Sequence, residues 1–198
     1  MSALVLASAS ASRQRMLTAA GVPFRVCAAD LDETSLTSDL WDKGSDAEGI
    51  AAALAQQKAI SVSRRSPGAL VLGGDSVVAF GPEIISKCAS MAALKSLLQK
   101  LSGKTHALIS AAALARDGAL VWHHTGTARL TMRVLSTAFL DDYLAAEGES
   151  LLSSVGGYRY EGRGAQLFSQ VEGDAFTILG LPLLAVLGAL RAQGILST

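Results

Sequence analysis

The stretch Thr105–Arg133, THALISAAALARDGALVWHHTGTARLTMR, consists of two long runs of β-forming residues on either side of Asp117-Gly118. Asp-Gly is one of the dipeptides that best accommodate the two-residue type I′ turn of a β-hairpin, because both of its residues tolerate a positive φ. The stretch therefore predicts a long antiparallel hairpin, with its turn at these two residues.

Strand-like and helical patterns alternate on both sides of this hairpin. The strand-like runs are Leu4–Ala7, Pro23–Ala28, Ala69–Gly73, Ser76–Phe80 and Ala165–Val171. Helical patterns cover Arg13–Ala20, Ala47–Ser61, Ala89–Leu101 and Thr137–Glu147, with another after Pro182, and Ser45 with Glu48 forms a capping box. The polar segments 30–34 and 148–164 are interpreted as loops. This alternation, combined with one long antiparallel hairpin, predicts an α/β fold with a mixed sheet in a single domain spanning residues 1–198.

The composition predicts a folded protein without a nucleic-acid or membrane partner. Of the 198 residues 50% are apolar, while 17 Lys and Arg balance 17 Asp and Glu. A chain of zero net charge lacks the basic excess that non-specific nucleic-acid binding requires. The apolar stretch Ala175–Leu190 is shorter than the ~18–20 residues of a membrane-spanning helix and contains Gly and Pro, so we interpret it as buried.

The start of the chain and its cysteines favour a cytoplasmic location. No basic residue precedes the first apolar run, as it would in an export signal. Cys27 and Cys88 lack C-x-x-C spacing, and two cysteines alone cannot form a zinc site. We expect both to be reduced thiols.

Several segments contain residues that could bind phosphate or a cation. Ser8, Ser10 and Arg13 lie where the first strand leads into a helix, a position that suits a phosphate, although serines there are also ordinary helix caps. Asp75 lies among apolar β residues, where it is either a functional carboxylate or a turn aspartate bound by local N–H groups. The acidic segment Asp30–Thr34 offers oxygen ligands to a divalent cation but is equally typical of a solvated loop.

Two lysines and a late loop complete the candidates. Lys58 and Lys87 are isolated charges, and a solvated surface position is the ordinary interpretation of such residues unless they converge with the others. The loop Gly156–Gly164 combines glycines with tyrosines, Arg159 and Glu161. This composition favours a loop that wraps a nucleotide over an ordinary solvated loop. A kinase or GTPase is excluded, because no G-x-x-x-x-G-K-[ST] sequence is present.

Seven motifs occur in an order and spacing that resemble the Maf family of nucleoside triphosphate pyrophosphatases. They are L-A-S-x-S-x-x-R at Leu6–Arg13, D-E-T at Asp32–Thr34, Q-K-A at Gln57–Ala59, G-x-D-S-V-V at Gly73–Val78, S-K at Ser86–Lys87, L-S-G-x-x-H at Leu101–His106, and E-G-x-G at Glu161–Gly164 with G-L-P-L at Gly180–Leu183. Each motif is unspecific by itself. Together they cover the chain from residue 4 to about residue 190.

The resemblance implies a two-lobed mixed-sheet fold similar to the inosine triphosphate pyrophosphatases, with a cleft that hydrolyses a nucleoside triphosphate to a monophosphate and pyrophosphate. It implies that Asp75 is the catalytic acidic residue, whose carboxylate orients or deprotonates the attacking water. It implies Mg²⁺ or Mn²⁺ held partly by Glu33 and Asp75, and a homodimer. The positions that it assigns to phosphate binding are Ser8, Ser10, Arg13, Lys58 and Lys87.

The late loop distinguishes two branches of this family. The branch acting on dTTP and UTP reads D-K-A-G-x-Y-G-I-Q-G, whose lysine and glutamine are missing here. Arg159 followed by Glu161-Gly162 resembles the branch acting on 7-methyl-GTP, and a carboxylate can accept from guanine N1–H and N2–H₂. We therefore expect a 7-methyl-GTP pyrophosphatase, with Arg159 and Glu161 binding the substrate. A dTTP/UTP pyrophosphatase and a nucleotide-binding regulator of septum formation are the alternatives.

Overall fold

One seven-stranded mixed sheet organises the computed structural model, which describes residues 4–197. The strands are β1 Leu4–Leu6, β2 Phe24–Val26, β3 Leu70–Phe80, β4 Glu83–Ile85, β5 Thr105–Arg116, β6 Ala119–Met132 and β7 Phe168–Glu172. Their order is β2-β1-β3-β5-β6-β7, with β4 paired to β3. β1 runs parallel to β2 and β3, and the other pairs are antiparallel. The predicted α/β fold with a mixed sheet is confirmed.

The long hairpin forms as predicted. β5 and β6 pair from Thr105 opposite Thr131 to Arg116 opposite Ala119. Between them Asp117 has φ 50° and Gly118 has φ 83°, the positive values that a type I′ turn requires at both positions.

The seven α-helices of residues 4–197 agree with the sequence patterns except for Glu33–Asp42 and Ala175–Ile178, which the sequence did not predict. They are α1 Ala11–Ala19, α2 Glu33–Asp42, α3 Ala47–Ser63, α4 Met91–Leu101, α5 Thr137–Glu147, α6 Ala175–Ile178 and α7 Leu183–Ala192. The loop prediction for residues 30–34 is wrong from Glu33 onward, because Asp32 caps α2 by accepting from the N–H of Ser35 at 3.0 Å. The capping residue of α3 is likewise Asp46, which accepts from Gly49, and not Ser45.

Two other boundaries differ from the sequence prediction. Residues 70–80 form one continuous strand, so Asp75 lies in the middle of β3 and not in a turn between two strands. The segment 148–164 contains the 3₁₀ helix Gly148–Ser153, and a second 3₁₀ helix, Arg163–Leu167, delays the start of β7 to Phe168.

The apolar side chains form two cores at opposite ends of the long strands and a further core beneath α3. Leu70, Leu72 and Leu114 pack with α1 and α7 at one end. Val78 and Leu108 pack with α4 and α5 at the other end. The central part of β3 therefore lies between two lobes, and Asp75 is placed where they meet.

The helices and the two cysteines bear on the sequence predictions of no membrane-spanning helix and of reduced thiols. Among the helices of residues 4–197, none combines the length and the hydropathy that crossing a bilayer requires. Cys27 and Cys88 are both free thiols.

Gly73 allows α3 to cross β3 with the two backbones in contact. A Cβ atom at this position would lie 2.2 Å from the carbonyl oxygen of Ala55 and 2.7 Å from the amide nitrogen of Ala59. We expect Gly73→Ala to lower the free energy of unfolding by at least about 1–3 kcal/mol, because backbone atoms cannot move aside as a flexible side chain does. Urea unfolding of the purified variant measures this change.

Gly188 provides the matched control. It lies inside α7, and a Cβ there would meet nothing within 4 Å. Gly188→Ala should therefore leave stability unchanged or raise it by about 0.5–1 kcal/mol. Equal unfolding midpoints for Gly73→Ala and the unmodified chain would contradict the close crossing.

Candidate active site

A cavity of about 620 Å³ lies between the two lobes. Nine candidate site residues from the sequence line it: Ser8, Ser10, Arg13, Glu33, Lys58, Asp75, Lys87, Arg159 and Glu161. Glu33 is the one residue of the acidic segment Asp30–Thr34 in this lining. These residues are up to 153 positions apart in the chain. The tertiary structure therefore brings these nine residues together.

The lining of this cavity has a positive balance of charge, although the chain as a whole is neutral. Five basic side chains line it, namely Arg13, Arg15, Lys58, Lys87 and Arg159. Glu33, Asp75 and Glu161 are the acidic ones. A concave surface with excess positive charge attracts and concentrates a polyanion such as a triphosphate.

Lys58 bridges two carboxylates at the floor of the cavity. Its Nζ lies 2.6 Å from Oδ1 of Asp75 and 2.8 Å from Oε1 of Glu33. Lys58 and Asp75 are each 7% exposed, so each charge requires the partner that the other supplies. The close crossing at Gly73 produces this pairing, because it brings the α3 segment around Lys58 directly over the centre of β3.

Arg13 is held inside the protein by three hydrogen bonds. Its Nε donates to the carbonyl oxygen of Gly180 at 2.7 Å, Nη1 donates to Ser8 Oγ at 3.1 Å, and Nη2 donates to Ser76 Oγ at 3.0 Å. A guanidinium has five N–H groups, so one remains on each terminal nitrogen for a ligand. Burial lowers the pKa of Arg13, and the nearby charges of Asp75 and Glu33 act in the opposite direction.

Ser8 and Ser10 differ in the hydrogen-bonding capacity that their hydroxyl groups have left for a ligand. Ser8 Oγ accepts from the N–H of Ser10 at 3.2 Å and from Arg13 at 3.1 Å. A hydroxyl has two lone pairs, so the free capacity of Ser8 is its O–H donor, which suits an anionic oxygen. Ser10 caps α1 by accepting from the N–H of Arg13 at 3.4 Å, so it has the capping role as well as a place in the lining.

The mouth of the cavity is formed by exposed charges. Lys87 is exposed, and Glu161 of the late loop lies 3.0 Å from Nη2 of Arg15 on α1. Sequence reasoning did not identify Arg15, because its partner is 146 residues away and no local pattern connects them. This exposed ion pair joins the two lobes across the opening.

One wall of the cavity is apolar. Leu108, Val155, Tyr158 and Ile178 contribute to it. The hydroxyl of Tyr158 is 2.8 Å from Nε2 of His106, and its ring packs edge-on against Phe168 at 4.9 Å. Burial lowers the pKa of His106 to about 4, so its imidazole is neutral near pH 7. Burial also raises the pKa of the Tyr158 hydroxyl.

The donor set at the floor suits a hard divalent cation. Within residues 4–197 there is no cluster of three or more His, Cys, Asp or Glu side chains that would hold a metal by themselves. Glu33 and Asp75 nevertheless converge on one cation, the Lys58 ammonium. Mg²⁺ is commonly bound through one or two carboxylates, with waters and substrate phosphates as its other ligands, so these two residues fit it.

Comparison with the sequences of known proteins gives matches along nearly the whole chain. The sequence model of a family described as Maf-like protein matches residues 3–193. A Brucella abortus protein named 7-methyl-GTP pyrophosphatase is 47% identical over 190 residues, which is 96% of each chain. A Hyphomonas neptunium protein named nucleoside triphosphate pyrophosphatase is 44% identical over 196 residues, covering 99% of this chain and 98% of its own. A solved HAM1 protein from Coxiella burnetii aligns with 67% of this chain and 73% of its own, at 19% identity and a TM-score of 0.45.

Proposed function

Since the chain belongs to the Maf-like protein family, we propose that it hydrolyses a nucleoside triphosphate to the monophosphate and pyrophosphate, with 7-methyl-GTP as its preferred substrate. The observation that carries the proposal is the Glu33–Lys58–Asp75 arrangement at the floor of a positively charged cavity. Such an arrangement offers a carboxylate base beside groups that neutralise phosphate charge. These are the two requirements of phosphoryl hydrolysis.

Asp75 is the proposed base. Lys58 contacts Oδ1 of Asp75, which leaves Oδ2 to accept from a water molecule. The Lys58 ammonium pairs with this buried carboxylate and orients it. In the proposed reaction Asp75 orients the water toward the α-phosphorus and takes its proton as the new P–O bond forms.

The leaving pyrophosphate gains negative charge as its bond to the α-phosphorus breaks. The Ser8 hydroxyl and the remaining N–H groups of Arg13 are fixed donors for the phosphate oxygens. Lys87 at the mouth adds an exposed positive charge, and the N-terminus of α1, which Ser10 caps, adds a further positive potential for the phosphates. A divalent cation held by Glu33 and Asp75 would supply Lewis-acid neutralisation of the same phosphate oxygens.

Glu161 and Arg159 are the proposed base-binding residues. Both line the cavity, together with the apolar Val155 and Tyr158 of the same segment. Guanine offers two adjacent donors, N1–H and N2–H₂, to which one carboxylate can bind bidentately. Methylation at N7 gives guanine a positive charge, so the carboxylate of Glu161 favours 7-methylguanine over the unmodified base on electrostatic grounds.

The test is pyrophosphate release from 7-methyl-GTP, GTP, CTP, UTP and dTTP, each with Mg²⁺, with Mn²⁺ or with a chelator. We expect the highest kcat/KM with 7-methyl-GTP and loss of activity with the chelator. In ¹⁸O-labelled water the label should appear in the monophosphate, because water attacks the α-phosphorus. Preference for UTP or dTTP would contradict the base assignment, and absence of pyrophosphate release from every nucleotide would favour a binding protein. The homodimer and the cytoplasmic location stay predictions.

A further inference from the structure

A chain of hydroxyl groups leads from Arg13 into the interior of the protein. Nη2 of Arg13 donates to Ser76 Oγ at 3.0 Å, Ser76 Oγ lies 2.9 Å from Ser110 Oγ, and Ser110 Oγ donates to the carbonyl oxygen of Thr177 at 2.7 Å. Ser110 is 0% exposed, and it does not belong to the cavity lining. Its hydroxyl therefore acts on a ligand only through other residues.

The direction of the protons along this chain follows from the capacity of each group. The Thr177 carbonyl can only accept, so the single hydroxyl hydrogen of Ser110 points toward it. Ser110 then accepts from Ser76 at 2.9 Å, and this contact engages the Ser76 hydrogen in preference to the longer one to the Gly180 carbonyl oxygen at 3.5 Å. Ser76 is left with lone pairs on the side of Arg13 and accepts from its guanidinium. Hydrogen bonds aligned in one sense polarise one another, and here the negative end faces the positive charge.

The short segment 177–180 accepts the last hydrogen bond of this hydroxyl chain and also binds Arg13 directly. Thr177 lies in α6, which Asp174 caps by accepting from the N–H of Thr177 at 2.9 Å. Gly180 follows with φ 106°, a conformation that side-chain-bearing residues rarely adopt, and its carbonyl accepts from Nε of Arg13 at 2.7 Å. The guanidinium plane is thus defined at two edges by residues 177–180.

We propose that Ser76 and Ser110 are positioning residues for the hydrolysis. They fix the guanidinium of Arg13 and, through its Nη1, the Ser8 hydroxyl that donates a hydrogen bond to the phosphate. This inference rests on the proposed function. Ser8 accepts from Nη1, so any rotation of the guanidinium also moves the donor that Ser8 presents. Because Arg13 and Ser8 stabilise charge that grows as the bond breaks, loss of their orientation lowers kcat more than it raises KM.

The experiment compares Ser110→Ala with Ser76→Ala and with the double variant, using kcat and KM for the preferred nucleotide. We expect Ser110→Ala to lower kcat about tenfold, because a misplaced charge-stabilising group slows the chemical step. Its KM should change less than about threefold. The double variant should be no slower than the slower single variant, because both substitutions break one chain. Ser110→Thr keeps a hydroxyl and should recover most of the lost kcat.

Ser63→Ala is the matched control for the loss of a buried hydroxyl. Ser63 is also 0% exposed, and its hydroxyl donates to Ile60 O and accepts from Gly118 N–H, both at 2.9 Å, away from the cavity. This variant should keep the kcat of the unmodified chain even if its thermal unfolding midpoint falls as far as that of Ser110→Ala.

Three outcomes would overturn the inference while leaving the proposed function intact. They are an unchanged kcat in Ser110→Ala, losses in the two single variants that multiply in the double variant, and a rise in KM alone. If Ser110→Ala does not fold, Ser76→Ala and Ser110→Thr decide between the same outcomes. An unmodified chain that hydrolyses no nucleotide would overturn the proposed function and this inference together.

Discussion

Asp75→Asn should lower kcat for 7-methyl-GTP by about 10²–10⁴-fold, the usual contribution of a general base. Asparagine has nearly the same shape as aspartate but cannot take a proton from the attacking water. Lys58 keeps its second carboxylate partner, Glu33 at 2.8 Å, so the substitution does not leave an unpaired ammonium in the interior. We therefore expect the loss to be one of chemistry and not of folding.

Three measurements separate these causes. Pyrophosphate release gives kcat, urea unfolding gives stability, and calorimetric titration with a non-hydrolysable analogue of 7-methyl-GTP gives affinity. Asp141→Asn is the control, because Asp141 also pairs with a lysine, Lys95 at 2.5 Å, but lies outside the cavity lining. The control should retain full activity. A stable Asp75→Asn variant within tenfold of the unmodified kcat would show that Asp75 is not the base.

Glu161→Gln should reduce kcat/KM for 7-methyl-GTP by about 10–100-fold, as expected for the loss of a hydrogen bond to a charged group. A carboxylate presents two acceptors to the two donors of guanine. A carboxamide presents one acceptor and one donor. Its donor faces one of the two donors of guanine, whereas the pair matches the N3–H and O4 of uracil. The preference should therefore shift toward UTP and dTTP.

The ion pair between Glu161 and Arg15 requires its own control. Arg15→Ala removes the partner at 3.0 Å and leaves the carboxylate in place. Exposed ion pairs contribute about 0–1 kcal/mol, so this variant should differ from the unmodified chain by no more than a few-fold for every nucleotide. If the two variants shift base preference equally, Glu161 acts only through Arg15 and does not contact the base.

Local patterns predicted most secondary structure because the interactions behind them are local. The type I′ turn at Asp117-Gly118 depends on the φ preferences of those two residues, and the helical patterns of α3, α4 and α5 depend on side-chain spacing within each segment. α2 was missed because its sequence is polar and none of its residues is fully buried. Its Leu36 and Leu40 gain stability only by packing against the core beneath α3, which no local pattern reveals.

For the site, the sequence by itself determined which residue types are present and in which motifs they occur. The tertiary structure decided their relations. Lys58 lies between Glu33 and Asp75 because backbone contact at Gly73 brings α3 onto the centre of β3. Arg13 is held by Gly180, 167 residues away, because α6 packs against β5 and β6 and the residues that follow it reach Arg13. Such long-range contacts follow from strand order and helix crossing, which are properties of the whole packed chain and are absent from any single segment of it.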